Sequence, residues 1–290
     1  MESFLQLLVI GIGMGCIYCL VAIEFTLVWN ASGLVNFSHD KFIMLGAYFF
    51  AGTFMLKLGF PVFIAIIMAF AVMAAFGGIT AIGVLNPLSR MSSDIYAVMG
   101  TIMLGKIMSE AVRILWGPAP YSLPSFIKGS YHFGNITISR VYVIIIIVTV
   151  AFMIFINLLF KKTKLGKAMR CVAEDKTAAA LMGINVNMNI AITVGISSVL
   201  CCIIGVLIIP IFNVSLNIAN MIGLKGFSAA VVGGFGTIPG AIVGGLLIGI
   251  IESLYTGVGP TVYRDAVAFV LLIIFLLVKP TGIMSKKAGH

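Results

Sequence analysis

The chain has 290 residues, of which 61% are apolar and 9% charged, with mean hydropathy +1.19 and a formal net charge of +9. Soluble domains carry about 25% charged residues, so the composition excludes a cytosolic enzyme, a disordered regulator and a secreted disulfide scaffold. At roughly 20 residues per crossing, the apolar content fills about eight or nine membrane helices.

The expected fold class is an all-α polytopic integral membrane protein with about nine transmembrane helices (about eight to ten), two of them short or broken. Residues 1–3 carry an acid and no basic residue, so the first apolar run is expected to be retained rather than cleaved as a signal peptide. Helices are expected near 4–28, 38–56, 61–85, 95–115, 141–160, 188–209, 218–235, 238–256 and 265–279. The runs at 38–56 and 218–235 are the weak ones, interrupted by glycine and introduced by polar residues. Gly33-Leu34-x-x-Phe37-Ser38 opens the first and recurs as Gly223-Leu224-x-x-Phe227-Ser228 in the second. The two runs cross in opposite directions, as inverted repeats with broken helices do around a midplane substrate site. Half-helix N-termini offer backbone N–H groups to a carboxylate without a fixed cation. Asn36, Ser38, His39, Gly226 and Ser228 are the expected path residues, with Asn217 and Asn220 near the outer entry. Helix capping is the competing account of Asn36 and Ser38, and a bond to a carbonyl that of His39.

Lys106 and Glu110 share a helix face at membrane depth, where a functional role and a structural pair have equal standing. Glu24 and Glu252 fall near span ends and are expected to meet water. Gly236, Gly240 and Gly244, and again Gly245 and Gly249, recur every four residues, a small-residue face suited to close packing between helices or between subunits. Cys16, Cys19, Cys201 and Cys202 lie in apolar runs and read as packing residues. His39, His132 and His290 are too scattered for a metal or triad site.

With nine crossings, one side holds Lys41, Arg90, Lys161, Lys162, Lys164, Lys167, Arg170, Lys176, Lys279, Lys286 and Lys287. The other holds Lys57, Arg113, Lys128, Arg140, Lys225 and Arg264. That asymmetry makes the first side cytoplasmic, with the C-terminus on it. Basic residues that orient spans need no nucleic-acid partner, and none is expected. Residues 161–187 form the longest cytoplasmic segment. Leu165, Met169 and Val172 make an apolar stripe among basic residues, and Glu174-Asp175 before Thr177-Ala178-Ala179-Ala180 starts a second short helix that Gly183 stops. Two such helices at the membrane surface suit a groove on a cytoplasmic partner.

The sequence resembles the permease subunits of bacterial ABC importers for branched-chain amino acids. Thr177-Ala178-Ala179-Ala180-Leu181-Met182-Gly183 matches the importer loop pattern Glu-Ala-Ala, three residues, Gly, with Thr in place of Glu. The wider run from Ala173-Glu174-Asp175 to Asn185 looks like the branched-chain branch. So do Gly33 to His39, Gly234 to Ala241, Tyr263-Arg264-Asp265 and Lys279-Pro280-Thr281-Gly282. Asp40-Lys41 stands where the family usually has Gly-Glu.

The resemblance implies a single transmembrane permease domain over 1–290, with 161–187 as an ATPase-coupling loop within it. Leu165, Met169, Glu174, Asp175, Thr177, Ala178, Ala179 and Gly183 are its expected coupling residues. The implied partners are two cytoplasmic ABC ATPase subunits, a second permease (a related hetero-partner or a second copy), a periplasmic or lipid-anchored binding protein, and lipid of the bacterial inner membrane. The chain is then a non-catalytic subunit without a cofactor of its own, and ATP and Mg belong to the partner ATPases. In keeping with this, no GxxxxGK[ST] phosphate loop occurs in the sequence. Urea, short amides or other amino acids are the alternative cargoes, and an ion-coupled secondary transporter is the alternative class.

Overall fold

The computed structural model of the protein describes residues 2–89, 91, 94–123, 127, 129–133 and 136–284. Arg90, Lys128, Lys286, Lys287 and His290 lie outside the described residues.

The elements follow the apolar pattern closely. Helix α1 (Glu2–Ser32) is followed by α2 (His39–Ala47), which runs straight into a π-helical stretch, Tyr48–Lys57. Helix α3 (Val62–Thr80) continues through a π-helical turn, Ala81–Leu85, into the short α4 (Asn86–Leu88). Then come α5 (Asp94–Trp116), the strands β1 (Ser130–Phe133) and β2 (Ile136–Ser139), and α6 (Arg140–Lys162). The strands form an antiparallel hairpin with Ser130 opposite Ser139, which the sequence pattern did not announce. The basic loop holds α7 (Lys164–Glu174) and α8 (Lys176–Leu181), and α9 (Val186–Ile208), α10 (Asn220–Gly233), α11 (Ile238–Val258) and α12 (Arg264–Val278) complete the chain.

Among the described residues, seven helices are long and apolar enough to cross a membrane. The two weak runs fold as α2 with its π-helical extension and as α10, neither of which is among those seven. The 14 residues of α10 make a rod of about 21 Å, short of the ~30 Å hydrocarbon core.

The chain divides into two compact units. One comprises residues 1–26, 127–152 and 221–290. In it α11 lies between α10 and α1, and glycine lets both come close. Cβ atoms on Gly240 and Gly244 would strike Gly233 and Ala229 of α10, and on Gly245 and Gly249 would strike Cys19 and Gly15 of α1. The glycine face is thus filled by the chain's own helices, not by another subunit. Gly236 does not belong to that face: it precedes α11, in a turn with φ +88°. After α12 the chain returns to α10, with Ile283 N–H donating to the Val232 carbonyl (3.0 Å) and Met284 N–H to that of Gly233 (2.9 Å).

The other unit comprises residues 27–126 and 153–220. Helix α9 is its axis, buried along most of its length. Ala31, Ala81, Leu85, Ile190, Ala191 and Val194 form an apolar core near its start. Further along, a Cβ on Gly205 would meet the Ile43 carbonyl at 2.7 Å, and one on Gly46 would meet Cys202 Cα at 2.6 Å. Backbone therefore touches backbone where α2 crosses α9.

The two copies of the Gly-Leu-x-x-Phe-Ser repeat differ in structure. Gly33 to Ser38 is the connector before α2, whereas Gly223 to Ser228 is helical within α10, so the identities do not mark equivalent positions. Lys106 and Glu110 are both exposed, and Glu110 turns to Arg113 (3.5 Å). Cys16, Cys19, Cys201 and Cys202 are buried as expected, and Cys171 is exposed.

Candidate functional site

In the second unit the polar residues expected along the path come together at the start of α2. Asn36, Ser38 and His39 are all buried. The Asn36 carboxamide oxygen accepts from the Ser38 N–H (3.1 Å) and from its hydroxyl (2.6 Å). Ser38 holds the N-cap position of α2, but its side chain makes no cap bond. Its hydroxyl is committed to Asn36, which answers the capping account for Ser38.

Asp40 and Lys41 extend this site. Lys41 Nζ lies 2.9 Å from Asp40 Oδ2 and donates to Asn220 Oδ1 at 2.7 Å. Asn220 in turn donates to Asn217 Oδ1 at 3.1 Å. Carboxylate, ammonium and two carboxamides thus form one chain, and neither charge is more than 17% exposed. The sequence placed Lys41 on the cytoplasmic side and Asn220 at the outer entry; they share one depth. Cys201, whose thiol lies 4.0 Å from the His39 carbonyl, shows that this depth is internal, about 22 Å of helix beyond the start of α9. The connector from Ser32 climbs to it before α2 begins, so Lys41 never reaches the helix end that charge counting assumed.

The first unit holds a buried ionic cluster that sequence reasoning missed. Lys225 Nζ donates to Glu252 Oε1 (2.7 Å) and Asp265 Oδ1 (2.6 Å), Arg264 Nε donates to the same Glu252 oxygen (2.6 Å), and the Tyr18 hydroxyl to its other oxygen (2.9 Å). Glu252 is buried, contrary to the expectation of water contact, and so is Glu24. Lys225 is buried too, its ammonium 5.8 Å from the Tyr18 ring centre. Two cations and two carboxylates balance, which is what lets charges sit at this depth. The signal was the Tyr263-Arg264-Asp265 motif, but nothing in the sequence pairs it with Lys225 or Glu252. Gly226 and Ser228 lie nearby on α10. A Cβ on Gly226 would collide with Val21, and the Ser228 hydroxyl bonds the Leu224 carbonyl (3.0 Å), so both serve packing in this conformation.

Each helix of the basic loop is locally specified. Thr163 caps α7, accepting from Gly166 N–H (2.9 Å), and Asp175 caps α8, accepting from Thr177 N–H (2.7 Å) and Ala178 N–H (3.0 Å). Gly183, with φ +82°, closes α8: its N–H meets the Ala180 carbonyl and that of Ile184 the Ala179 carbonyl, each at 3.0 Å. Met169, Val172 and Ala179 are buried and anchor the pair. Gly166 is buried beside them, and Leu165 is 47% exposed instead of completing the stripe. Glu174, Asp175, Thr177, Ala178 and Gly183 are exposed, beside Leu181 (85%) and Met182 (82%). Lys176 Nζ donates to the Ser32 carbonyl at the end of α1 (2.5 Å), and its partial burial lowers the ammonium below its ordinary value of 10.5.

Residues 7–276 match the family described as branched-chain amino acid transport system, permease component. The chain is 33% identical over 296 aligned residues to the high-affinity branched-chain amino acid transport system permease protein LivH of Escherichia coli (strain K12), covering 98% of this chain and 96% of LivH. It is 35% identical to the corresponding permease protein BraD of Pseudomonas aeruginosa, with the same coverage. A third relative, the probable branched-chain amino acid transport permease protein LivH of Methanocaldococcus jannaschii, is 28% identical over 91% of this chain and 87% of its own length. Family match and full-length identity agree: the chain belongs to the permease component family of branched-chain amino acid transport systems.

Proposed function

We propose that this chain is the membrane permease subunit of an ATP-binding cassette importer and forms the path for leucine, isoleucine and valine. The observation that carries the reading is identity of 33–35% across 98% of the chain to permeases named for these cargoes. The site at α2 suits a small zwitterion. Lys41 complements a carboxylate, Asp40 complements an ammonium, and Asn217 and Asn220 supply neutral polar contacts. Asn36 holds Ser38, and with it the first turn of α2, in place.

An external binding protein delivers the amino acid, and a second permease, related or identical, completes the path. Two cytoplasmic ATPases carry ATP and Mg, and this chain performs no chemistry. They dock on the 161–187 loop, whose exposed Leu165, Ala178, Leu181 and Met182 offer apolar contacts ringed by Glu174, Asp175 and Thr177. ATPase closure and permease rearrangement favour each other by thermodynamic reciprocity. The protein resides in the bacterial inner membrane with the loop and C-terminus in the cytoplasm.

The test is reconstitution with cognate ATPases, a permease partner and a binding protein. ATP-dependent accumulation of labelled leucine, absent without the ATPases, is the expected result. Accumulation of urea or short amides in its place, or uptake that needs no ATPase, would refute the reading.

A further inference from the structure

Within the second unit, the end away from the basic loop is closed by side chains whose polar atoms go unused. The Tyr48 ring lies 5.8 Å from that of Trp116 and 5.7 Å from that of Tyr121, and Phe49 is 5.5 Å from Trp116. The Tyr48 and Tyr121 phenol oxygens and the Trp116 indole nitrogen are all buried, and none has a hydrogen-bond partner among the described residues. Interiors hold few such atoms, and here three share one cluster.

Two of them converge on one spot. A Cβ on Gly52 would stand 2.6 Å from Tyr121 Oη and 2.7 Å from Trp116 Nε1, so both atoms rest on bare backbone. Gly52 belongs to the π-helical stretch Tyr48–Lys57, a geometry concentrated at functional sites. Lys57 donates to the Leu115 carbonyl (3.2 Å) and sits 5.5 Å from the Trp116 ring centre, which adds a cation to the cluster. An indole N–H can only donate. Burial, helped by Tyr48, raises the Tyr121 phenol, which keeps its proton and its donor role. Three donors, a neighbouring cation and aromatic walls match an anionic oxygen carried on an apolar body.

We propose that Tyr48, Trp116 and Tyr121 form an entry site for the carboxylate of an apolar amino acid, closed on itself here and occupied when the rings lift from Gly52. The inference rests on the branched-chain amino acid reading given above.

Trp29 and Trp116 are the two tryptophans of the chain, so Trp29→Phe leaves one reporter. The full-length variant in lipid nanodiscs is titrated with leucine, with 4-methylpentanoate (carboxylate without ammonium) and with leucinol (ammonium without carboxylate). Leucine and 4-methylpentanoate are expected to shift Trp116 emission saturably and change its quenching by acrylamide, while leucinol leaves both unchanged. Tyr121→Phe should weaken the response about tenfold, as the loss of one hydrogen bond to a charged acceptor does. Gly52→Ala should expose Trp116 to quencher without ligand. A silent Trp116, an equal response to leucinol, or a response unchanged by Tyr121→Phe overturns the site. Leucine uptake by the assembled importer is measured in parallel. Uptake with a silent Trp116 removes the site and leaves the transport reading standing, and loss of uptake with a carboxylate-dependent response does the reverse.

Discussion

Lys41 donates to Asn220 across 2.7 Å, although 179 positions separate them in the chain. The bond ties the first turn of α2 to the first residue of α10 and places a cation at an internal depth. Lys41→Met removes that cation and leaves Asp40 without its ion-pair partner. Leucine transport should fall by about tenfold or more, the size of one charge-assisted hydrogen bond, while the amount of inserted protein is unchanged. Vesicle uptake normalised to permease content measures this, and wild-type rates in Lys41→Met would remove the residue from the path.

Glu252→Gln tests the ionic cluster of the first unit. The substitution leaves Lys225 and Arg264 sharing one partly exposed carboxylate, Asp265. Removing one member of a buried pair destabilises by about 3–5 kcal/mol, so the unfolding midpoint in detergent should drop clearly. The double variant Lys225→Met, Glu252→Met should lose less than the two single variants together, since it buries no unmatched charge. Additive losses would mean that the two groups do not interact.

Gly183→Val places a β-branched residue at φ +82°, at about 1–2 kcal/mol, and unravels the end of α8. Insertion should persist while ATP-driven transport disappears. Gly183→Asn, which tolerates the left-handed region, should retain most of the activity. Equal transport by the valine variant would separate α8 from energy coupling.

The glycine contacts of α11 predict a contrast. Gly249→Leu drives a side chain into the Gly15 backbone and should prevent accumulation of folded protein. Gly83→Leu faces open space and should accumulate normally. Detergent-soluble yield by size-exclusion fluorescence tells the two apart, and comparable yields would contradict the packing described.

Lys176→Met should speed amide exchange in α8 and at the end of α1, because it frees the Ser32 carbonyl. Burial depresses the Lys176 ammonium, so over a window below 10.5 the unfolded chain holds more protons than the folded one. Stability therefore rises with pH through that window, and exchange measured at rising pH in the wild type, corrected for intrinsic rates, should slow at these sites. The same slowing in Lys176→Met would assign the effect to another group.

Hydropathy made the helices legible because a bilayer span needs a long apolar run wherever it occurs. Runs expected at 95–115 and 238–256 became Asp94–Trp116 and Ile238–Val258. Caps are local, so Asp175 and Gly183 could be read as the ends of α8. Depth and partnership are not local. Lys225 was counted on the outer side because no sequence neighbour reveals Glu252 or Asp265, and Lys41 was assigned to the cytoplasmic side because the climb of the connector before α2 leaves no hydropathy signal. Polarity identified Asn36, Ser38, Asn217 and Asn220 as candidates; only the fold brought Lys41 into one chain of hydrogen bonds with Asn217 and Asn220.

The contact between Lys176 and the Ser32 carbonyl also fixes a length. From Ser32 to Ser38 the backbone spans at most about 20 Å when fully drawn out, and it ends on the carbonyl that receives the Lys41 and Phe42 N–H groups (2.9 and 3.2 Å). Were α8 displaced, this short tether would be its route to α2. In the proposed transport cycle its slack, more than the rigidity of any helix, would set how far the basic loop travels before the Lys41 end responds.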